Sequence, residues 1–384
     1  MSRPIPPGST IGIFGGGQLG RMTAMAARAL GYRIHVLDPE PDCAARPVSD
    51  LCITADFDDP QAAAELAKGS DVVTLEIEKI SQPSLHAAAL YAPVRPGAHV
   101  LEIVQDRGRQ KAWLAAQGFP MGAYRDVATE EELSAAVDAL GGAVFAKSCT
   151  GGYDGRGQAL VRAPDDAHAT WRAIGGGPAV AERALDLELE LSVMVARTPN
   201  GETAVFPVAL NHHEERILAW SVVPGPLPNG IAQRATMLGR EIADAIGLEG
   251  LLAVEMFLLR DGTVLVNELA PRPHNSFHAT ERACITSQFE QHVRAVCGMP
   301  LGSTDVVVPA AIVNLLGDLW QDGPPPFERA LRLPGVRLHL YGKKGARPGR
   351  KMGHLSAIGS SPEAAVERAR EAMSLLEHPH RVRD

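Results

Sequence analysis

A glycine-rich segment beside a lysine is the first place where residue types and spacing suggest chemistry. Lys147 ends the short apolar run that begins at Val144, and the segment Gly151-Gly152-Tyr153-Asp154-Gly155-Arg156-Gly157-Gln158 follows before a second apolar run at 159–161. Glycine backbones can approach a phosphate closely, and a lysine adds a positive charge. The pattern favours a flexible flap over a triphosphate; the alternative is an ordinary hairpin loop.

Two glutamates in the second half of the chain form another candidate site. If Asp261-Gly262 is a two-residue turn, Arg260 pairs with Thr263 and Glu255 lies directly opposite Glu268. Facing carboxylates repel each other, so a buried pair needs a cation or a shared proton. Oxygen ligands favour Mg²⁺, usually completed by substrate phosphates. The alternative is an exposed edge hairpin whose acids face water.

The segment after Glu268 contains three polar side chains between prolines. In Pro271-Arg272-Pro273-His274-Asn275-Ser276 the prolines restrict the backbone, so Arg272, His274 and Asn275 are presented in fixed directions. Arg272 is placed to steady an anion near the metal. The alternative is a structural loop in which His274 caps a helix.

The segment Gly15-Gly16-Gly17-Gln18-Leu19-Gly20 fits a phosphate-binding pattern. It follows a predicted strand and precedes a predicted helix, and Asp38 ends the next strand. Three interpretations remain open: a nicotinamide dinucleotide site, a site for another phosphate ligand, and a tight turn without a ligand.

Charge is distributed unevenly along the 384 residues. The 37 Lys and Arg against 45 Asp and Glu give a net charge of −8, which argues against a chain-wide nucleic-acid binder. From Arg329 to His354, however, there is no acidic residue. The basic residues of this segment are Arg329, Arg332, Arg337, Lys343, Lys344, Arg347, Arg350 and Lys351. Its glycines and prolines favour a loop that binds one phosphate monoester; a solvated loop is the alternative.

The elements that must position these residues alternate between strand and helix at the start of the chain. Strands are predicted at 11–14, 34–37 and 71–75 and a helix at 19–30, which indicates parallel βαβ units. Val94-Arg95-Pro96-Gly97 is interpreted as a linker. Further helices are predicted near 106–116, from a capping box at Thr129, and after the N-cap Ser361.

The middle of the chain is richer in predicted strands. They lie at 143–147, 159–161, 180–182, 190–196, 203–209, 251–259 and 263–268. One long helix is predicted from Ala279 to Cys297. At 45% hydrophobic residues, a chain of this length predicts two to three globular domains.

Cysteine usage and hydropathy bear on the compartment. The five scattered cysteines show no metal-ligand spacing and predict reduced thiols. No apolar run approaches 18 residues, and the first residues have no apolar signal core. We therefore expect a cytoplasmic protein that binds no membrane.

Taken together, the lysine strand, glycine-rich flap and acidic hairpin resemble the ATP-grasp superfamily, and finer details resemble its N5-carboxyaminoimidazole ribonucleotide synthetase family. Further residues carry the likeness: Gly15 to Met22, the flap, Asn267 to Ser276, Ser287-Gln288-Phe289-Glu290, and Arg350-Lys351-Met352-Gly353-His354. The match spans about Thr10 to Leu376. It departs at Arg156, where lysine is common, and at Phe277, where a small residue is usual.

The resemblance implies an α/β (α+β overall) fold. Its parts would be a Rossmann-like domain at 1–97, an ATP-grasp domain at 98–310 with a flap subdomain near 124–185, and a C-terminal domain at 311–384. It implies ATP-dependent carboxylation of 5-aminoimidazole ribonucleotide by bicarbonate, through carboxyphosphate, in purine biosynthesis. It also implies Mg²⁺, no biotin, no nucleic acid and a homodimer.

Site residues follow from the same resemblance. ATP would contact Arg107, Lys147, Gly152, Tyr153, Asp154, Gly155, Arg156, Gly157, Gln158, Glu182, Arg183, Ala184, Leu185, Glu190, His213, Asn267 and Glu268. Mg²⁺ would be held by Glu255 and Glu268. The ribonucleotide would meet Gln18, Leu19, Glu76, Tyr153, Arg272, His274, Asn275, Lys343, Arg350 and Lys351. The catalytic residues would be Arg272, His274 and Lys351.

Three other functions remain to be weighed. An NAD(P)-dependent oxidoreductase would rest on the Gly15–Gly20 segment alone and leaves the flap and the facing glutamates unexplained. A noncatalytic regulator would bind Mg-ATP without turnover. Within the superfamily, a formate-dependent glycinamide ribonucleotide transformylase is disfavoured by the Gly-Gly-Tyr-Asp-Gly flap and by the segment from Lys351 to His354.

Overall fold

A computed structural model describes residues 3–151 and 157–377. The chain begins with a four-stranded parallel sheet of order β3-β2-β1-β4. Its strands are β1 (Thr10–Phe14), β2 (Arg33–Asp38), β3 (Leu51–Thr54) and β4 (Val72–Leu75), and its helices are α1 (Gln18–Ala29), α2 (Pro60–Lys68) and α3 (Gln82–Ala89). Every residue of β1 and β4 is buried, which explains their continuous apolar runs.

The segment interpreted as a linker is packed into the fold. Val94 bridges to Val73, and Arg95 is 5% exposed. The Arg95 guanidinium contacts Glu249 at 2.8 Å and donates to the Val296 carbonyl at 2.7 Å. Helices α4 (Ala98–Val104) and α5 (Arg107–Ala116) follow. The N-terminal unit is therefore anchored to the rest of the molecule at this point.

A second, antiparallel sheet of order β5-β8-β6-β7 contains Lys147 and the two strands before and after residues 152–156. Its elements are β5 (Tyr124–Val127), α6 (Glu130–Ala139), β6 (Val144–Ser148), β7 (Gln158–Val161), α7 (Ala167–Ala173) and β8 (Ala179–Arg183). Thr129 caps α6 by accepting from the Glu132 amide, as predicted. The reciprocal bond of the capping box differs, because Glu132 accepts from Ala128 instead of Thr129.

The largest sheet has nine strands and runs without a break into the C-terminal region, because β12 pairs with β15. Its strands are β9 (Leu187–Arg197), β10 (Thr203–Val205), β11 (Ala209–Glu214), β12 (Ile217–Val223), β13 (Gly250–Leu259), β14 (Val264–Ala270), β15 (Ala310–Leu316), β16 (Val336–Leu340) and β17 (Lys351–Ile358). The accompanying helices are α8 (Asn229–Ala245), α9 (Thr280–Ala283), α10 (Gln288–Val296), α11 (Phe327–Ala330) and α12 (Pro362–Ser374). Ser361 caps α12, as predicted.

Two predicted elements are wrong. The long helix from Ala279 to Cys297 is two helices, α9 and α10. Between them, Cys284 bridges to Val306, and Ser287 starts a new helix by capping it. The strand predicted at 203–209 is also divided, because β10 pairs with β9 only as far as Val205 and Ala209 starts the next strand.

None of the helices in the described ranges, 3–151 and 157–377, is long and apolar enough to cross a membrane. All five cysteines lie in the described residues and are free thiols.

Candidate active site

The hairpin of β13 and β14 places Glu255 opposite Glu268, but not through the predicted turn. Leu258 pairs with Val264, so the connection is longer than two residues and Arg260 does not pair with Thr263. Gly262 has a φ of +84°, a conformation that favours glycine. A register shift at Asn267 then offsets the pairing by one residue. The two offsets cancel, so the predicted carboxylate pair is correct although the predicted turn is wrong.

Each of the facing carboxylates has a cationic or histidine partner. Glu268 contacts Arg107 at 3.0 Å, and Glu255 contacts Nε2 of His274 at 3.2 Å. Burial alone would raise the pKa of Glu255. The hydrogen bond from His274 and the nearby charges of His213 and Lys351 outweigh burial and hold that pKa well below its usual range. The side chains are 26% and 42% exposed, so both carboxylates are accessible.

Near this pair, the carboxylate of Glu182 lies between the ammonium groups of two lysines. Its carboxylate lies 3.1 Å from Lys147 and 3.2 Å from Lys111, and Lys111 is 1% exposed. Asn267 ties the group together. Its carbonyl accepts from Lys111 at 3.2 Å, and its side-chain oxygen accepts from Lys147 at 3.4 Å. Two lysines and one carboxylate leave one net positive charge beside Glu255 and Glu268, which suits a phosphate chain.

Other residues assigned to ATP lie around this centre. Glu190 and His213 form a 2.9 Å pair on the neighbouring strands β9 and β11. Burial would lower the pKa of His213, but the hydrogen bond and charge of Glu190 outweigh it and raise that pKa. The remaining predicted ATP residues lie in the second sheet or in the segments that join its strands, and Gln158 pairs there with Lys147. These residues are Gly157, Gln158, Arg183, Ala184 and Leu185.

The flap prediction itself falls partly outside the described residues. The predicted ATP contacts Gly152, Tyr153, Asp154, Gly155 and Arg156 lie there, and so does the predicted ribonucleotide contact of Tyr153. The strands β6 and β7 on either side of them form the expected antiparallel pair.

The proline-rich loop places its polar side chains against the same hairpin. Arg272 forms a 2.7 Å ion pair with Glu78, which follows β4. His274 contacts Ser276 through Nδ1 at 2.8 Å and Glu255 through Nε2. Asn275 is 7% exposed, and neither its side-chain nitrogen nor its oxygen has a partner. A buried amide without partners is costly, which indicates that this loop faces a polar ligand.

The glycine-rich turn before α1 is already filled by the protein's own carboxylates. Glu76 accepts from the amides of Gly17 at 2.6 Å and Gly20 at 2.8 Å, and Asp38 accepts from Gly16 at 2.6 Å. A dinucleotide pyrophosphate would need these same amides. The geometry therefore disfavours the nicotinamide interpretation. Glu76, assigned above to the ribonucleotide, also supports this turn.

The basic C-terminal loop connects to this turn. Lys343 donates to Gln18 at 2.6 Å and to the Lys351 carbonyl at 3.0 Å, while Leu19 is buried in an apolar cluster beside them. Arg350 donates to the carbonyls of Lys344 and Gly345, at 2.6 and 3.0 Å. Both bonds come from Nη1, so a phosphate could be bound through Nε and Nη2 while they persist.

The sequence reasoning missed three residues of the site. Lys111 holds Glu182, Glu78 holds Arg272, and Gln288 contacts His274 on both backbone atoms. Only Gln288 fell within a motif singled out above. Lys111 lies four residues after Arg107 on α5, so helical spacing could have placed both on one face.

Known proteins resemble the chain along nearly its whole length. A ribonucleotide synthetase preATP-grasp domain family matches residues 9–105, an ATP-grasp domain family matches 112–289, and a phosphoribosylaminoimidazole carboxylase C-terminal domain family matches 310–368. The N5-carboxyaminoimidazole ribonucleotide synthase of Bacillus subtilis is 43% identical over 355 residues, 92% of either chain. The Brucella melitensis enzyme of that name is 45% identical over 356 residues, 92% of this chain and 97% of the relative.

Solved structures agree with this likeness. An ADP complex of N5-carboxyaminoimidazole ribonucleotide synthetase superposes with a TM-score of 0.92 at 42% identity, covering 97% of this chain and 98% of the other. An Aspergillus clavatus synthase in complex with ADP and 5-aminoimidazole ribonucleotide has a TM-score of 0.89 at 31% identity, covering 96% and 98%. The chain therefore belongs to the N5-carboxyaminoimidazole ribonucleotide synthase family of ATP-grasp ligases.

Proposed function

We propose that this protein carboxylates 5-aminoimidazole ribonucleotide with bicarbonate and ATP, giving N5-carboxyaminoimidazole ribonucleotide, ADP and phosphate in purine biosynthesis. The single observation that carries this is the convergence of two sites on one hairpin. Lys111 and Lys147 of the lysine–glutamate cluster contact Asn267 of this hairpin, and His274 of the proline-rich loop contacts Glu255. A phosphate donor and an acceptor can therefore meet at the hairpin.

The first step is phosphoryl transfer to bicarbonate, whose hydroxide is a poor leaving group. A bicarbonate oxygen attacks the γ-phosphorus of ATP, and the bond to the β-phosphate oxygen breaks to release ADP. Lys147 and Arg107 stabilise the charge on the transferring group. Glu190 and His213 hold the nucleotide sugar side, and the span from Glu182 to Leu185 lines the base side. The glycine-rich segment from Gly152 to Gln158 is the predicted contact of the phosphates.

Mg²⁺ fits the paired carboxylates by the chemistry of its donors. Glu255 and Glu268 face each other and offer only oxygen ligands, which magnesium prefers. When bound, Mg²⁺ would neutralise the charge of the β- and γ-phosphates during transfer. Arg107 contacts Glu268 and His274 contacts Glu255, so the two carboxylates can face each other before the nucleotide binds.

The second step transfers the carboxyl group. The exocyclic amine of the ribonucleotide attacks the carbon of carboxyphosphate, or of CO₂ released from it. The carbon–oxygen bond to phosphate breaks, and the released phosphate takes up the proton that the amine loses. Arg272 and His274 hold the bicarbonate-derived anion, and Lys351 adds positive charge nearby. Closure of the flap would exclude water, since carboxyphosphate hydrolyses readily.

The ribonucleotide is placed between the amino-terminal turn and the basic loop. Gln18, Leu19, Glu76 and Asn275 surround its ring and sugar, and Lys343, Arg350 and Lys351 provide its phosphate site. A homodimer and a cytoplasmic location belong to the same proposal. The domain boundaries after residues 97 and 310 stay predictions.

Phosphate release measured with one substrate omitted at a time tests the function. We expect release to need ATP and bicarbonate, and to be strongest with aminoimidazole ribonucleotide added. ATP protection from melting without such release would instead favour the noncatalytic regulator. Release that requires glycinamide ribonucleotide and formate would favour the transformylase, and a fluorescence change of NADH on binding would favour the oxidoreductase.

The role of Arg272 is tested by Arg272→Ala, with Arg260→Ala as a control in an exposed ion pair on the hairpin turn. We expect carboxylation to fall by about a hundred-fold in Arg272→Ala. Carboxylation at the wild-type rate with saturating ATP would show that Arg272 does not hold the anion.

A further inference from the structure

Gln288, the first residue of α10, forms hydrogen bonds to the backbone of His274 with both the oxygen and the nitrogen of its side-chain amide. Its Oε1 accepts from the His274 amide at 2.8 Å, and its Nε2 donates to the His274 carbonyl at 2.9 Å. The residue is 0% exposed. This paired arrangement resembles one rung of a β-ladder made by a side chain, and it fixes the backbone of one loop residue on both sides.

The orientation of the Gln288 amide follows from its partners. The reversed orientation would oppose two N–H groups and two oxygens, so only one orientation satisfies both hydrogen bonds. Nε2 also lies 3.0 Å from Nδ1 of the buried His278. Because Nε2 is a donor, that ring nitrogen must accept. Burial lowers the pKa of His278 well below its usual value, which is consistent with a neutral ring.

His274, whose backbone Gln288 holds, also has the imidazole ring that contacts Glu255. His274 reaches Glu255 with Nε2 at 3.2 Å and Ser276 with Nδ1 at 2.8 Å. The side chain of its neighbour Asn275 has no partner, while the Ser276 carbonyl accepts from Ser221 at 2.8 Å and the His274 carbonyl also accepts from the Phe277 amide at 3.1 Å. Gln288 bonds both backbone atoms of His274 itself, so the angle at which the ring meets the hairpin depends on this contact together with the ring's own bond to Ser276.

We propose that Gln288 is a positioning residue, which sets His274 against Glu255 for the carboxyl-transfer step. This inference rests on the proposed function, in which His274 holds the bicarbonate-derived anion. The buried side chain of Gln288 is not accessible to the nucleotide or the ribonucleotide. It acts by restricting where the imidazole stands, and a displacement of about 1 Å at such a ring is enough to slow a reaction by about a hundred-fold.

The same helix contains a matched control. Gln291 is also 0% exposed and also makes a paired contact, accepting from the Gly302 amide and donating to the Gly302 carbonyl, both at 2.8 Å. Gly302 lies outside the candidate site. A substitution at Gln291 thus removes the same kind of paired backbone contact from the same helix without releasing His274. Gln288 makes one further hydrogen bond, to His278.

The experiment compares Gln288→Met with Gln291→Met in the full chain. Methionine keeps the length of the side chain and removes its hydrogen bonds, three at Gln288 and two at Gln291. We expect both variants to lose thermal stability, and Gln288→Met to lose more because it also loses the contact with His278. Only Gln288→Met should lose at least about ten-fold in kcat for ribonucleotide-dependent phosphate release, with KM for ATP within about two-fold of wild type. Gln288→Asn, one methylene too short to bridge both atoms, should reproduce this loss if Gln288→Met does not fold.

Equal losses of kcat at both positions, or an unchanged kcat in the Gln288 variants, would overturn the proposal. A crystal structure of a Gln288 variant gives a readout without turnover: we expect the His274 ring to leave Glu255. If wild-type protein shows no ribonucleotide-dependent phosphate release, the proposed function fails and this second readout alone decides. A His274 ring that keeps its place there would overturn the positioning role.

Discussion

At the scale of single residues, the site depends on charges that are held by one another. Lys147 was predicted as a phosphate ligand and Glu182 as an adenine contact. The structure adds Lys111, so that one carboxylate lies between two ammonium groups. This arrangement holds Lys147 at a fixed distance from Asn267 and the hairpin. Its three charges can be buried because each has a partner of opposite sign.

Lys111→Met tests the contribution of the hidden lysine. Removing one partner of a buried ion pair typically costs about 3–5 kcal/mol. Because Lys147 remains beside Glu182, we expect a smaller loss of about 2–3 kcal/mol in the free energy of unfolding, measured by urea denaturation. Lys344→Met, in an exposed pair with Asp42, should change little. A loss at Lys111 no greater than that of the control would contradict this account.

Acidification tests the same group through Glu182. Burial would raise the pKa of this carboxyl from 4.5, but Lys147 and Lys111 outweigh burial and lower it. The ionised form therefore stabilises the folded protein above pH about 4.5, and this contribution is lost as pH falls through the lower folded-state value. We expect the difference in Tm between wild type and Glu182→Gln to be steady from about pH 6 to 8 and to narrow below about 4.5. A Tm difference that widens on acidification would contradict a lowered pKa of Glu182.

At the scale of elements, fully buried strands could be predicted from the sequence, whereas a helix end that depends on a long-range contact could not. The buried strands β1 and β4 were predicted because they are apolar throughout. The edge strand β3 has no buried residue and gave no such signal. The end of α9 was missed because it depends on the bridge from Cys284 to Val306, which lies far along the chain.

Two glycines in the first turns of α1 and α8 are predicted to respond in opposite ways to substitution by alanine. A Cβ at Gly20 would lie 2.3 Å from the backbone oxygen of Gly15, whereas a Cβ at Gly230, early in α8, meets nothing within 4 Å. We expect Gly20→Ala to lower the free energy of unfolding by about 1–3 kcal/mol. Gly230→Ala should raise it by about 0.5–1 kcal/mol, since alanine favours a helix. Denaturant unfolding of both variants measures this, and equal effects would contradict the packing at the turn.

At the scale of the whole molecule, the site is assembled from three regions of one chain. Glu76 and Glu78 follow a strand of the first sheet, Lys147 and Glu182 belong to the second, and the hairpin belongs to the third. The motifs could be recognised from sequence one by one. Their mutual contacts could not, because ion pairs such as Arg272 with Glu78 join residues 194 positions apart.

Arg95→Met tests the anchor between the first sheet and the remainder. The buried Arg95 guanidinium contacts Glu249 and the Val296 carbonyl. Its removal leaves a buried carbonyl without this donor, and we expect a loss of about 1–3 kcal/mol in the free energy of unfolding. Arg294→Met breaks a surface i, i+4 pair with Glu290 and should cost about 0.5 kcal/mol or less. Unfolding followed by fluorescence measures both, and equal losses would show that the anchor is not important.

The register shift at Asn267 separates the carboxylates from the end of their own hairpin. Glu255 is aligned with Ser192 by the neighbouring strand β9, and Leu269 is held on both backbone atoms by Gln110 of α5. Neither alignment relies on the turn at Arg260. A segment inserted at 260–262 could therefore extend from the turn, so this is a point where a peptide tag or a fluorescent label could be introduced while the paired carboxylates keep their places.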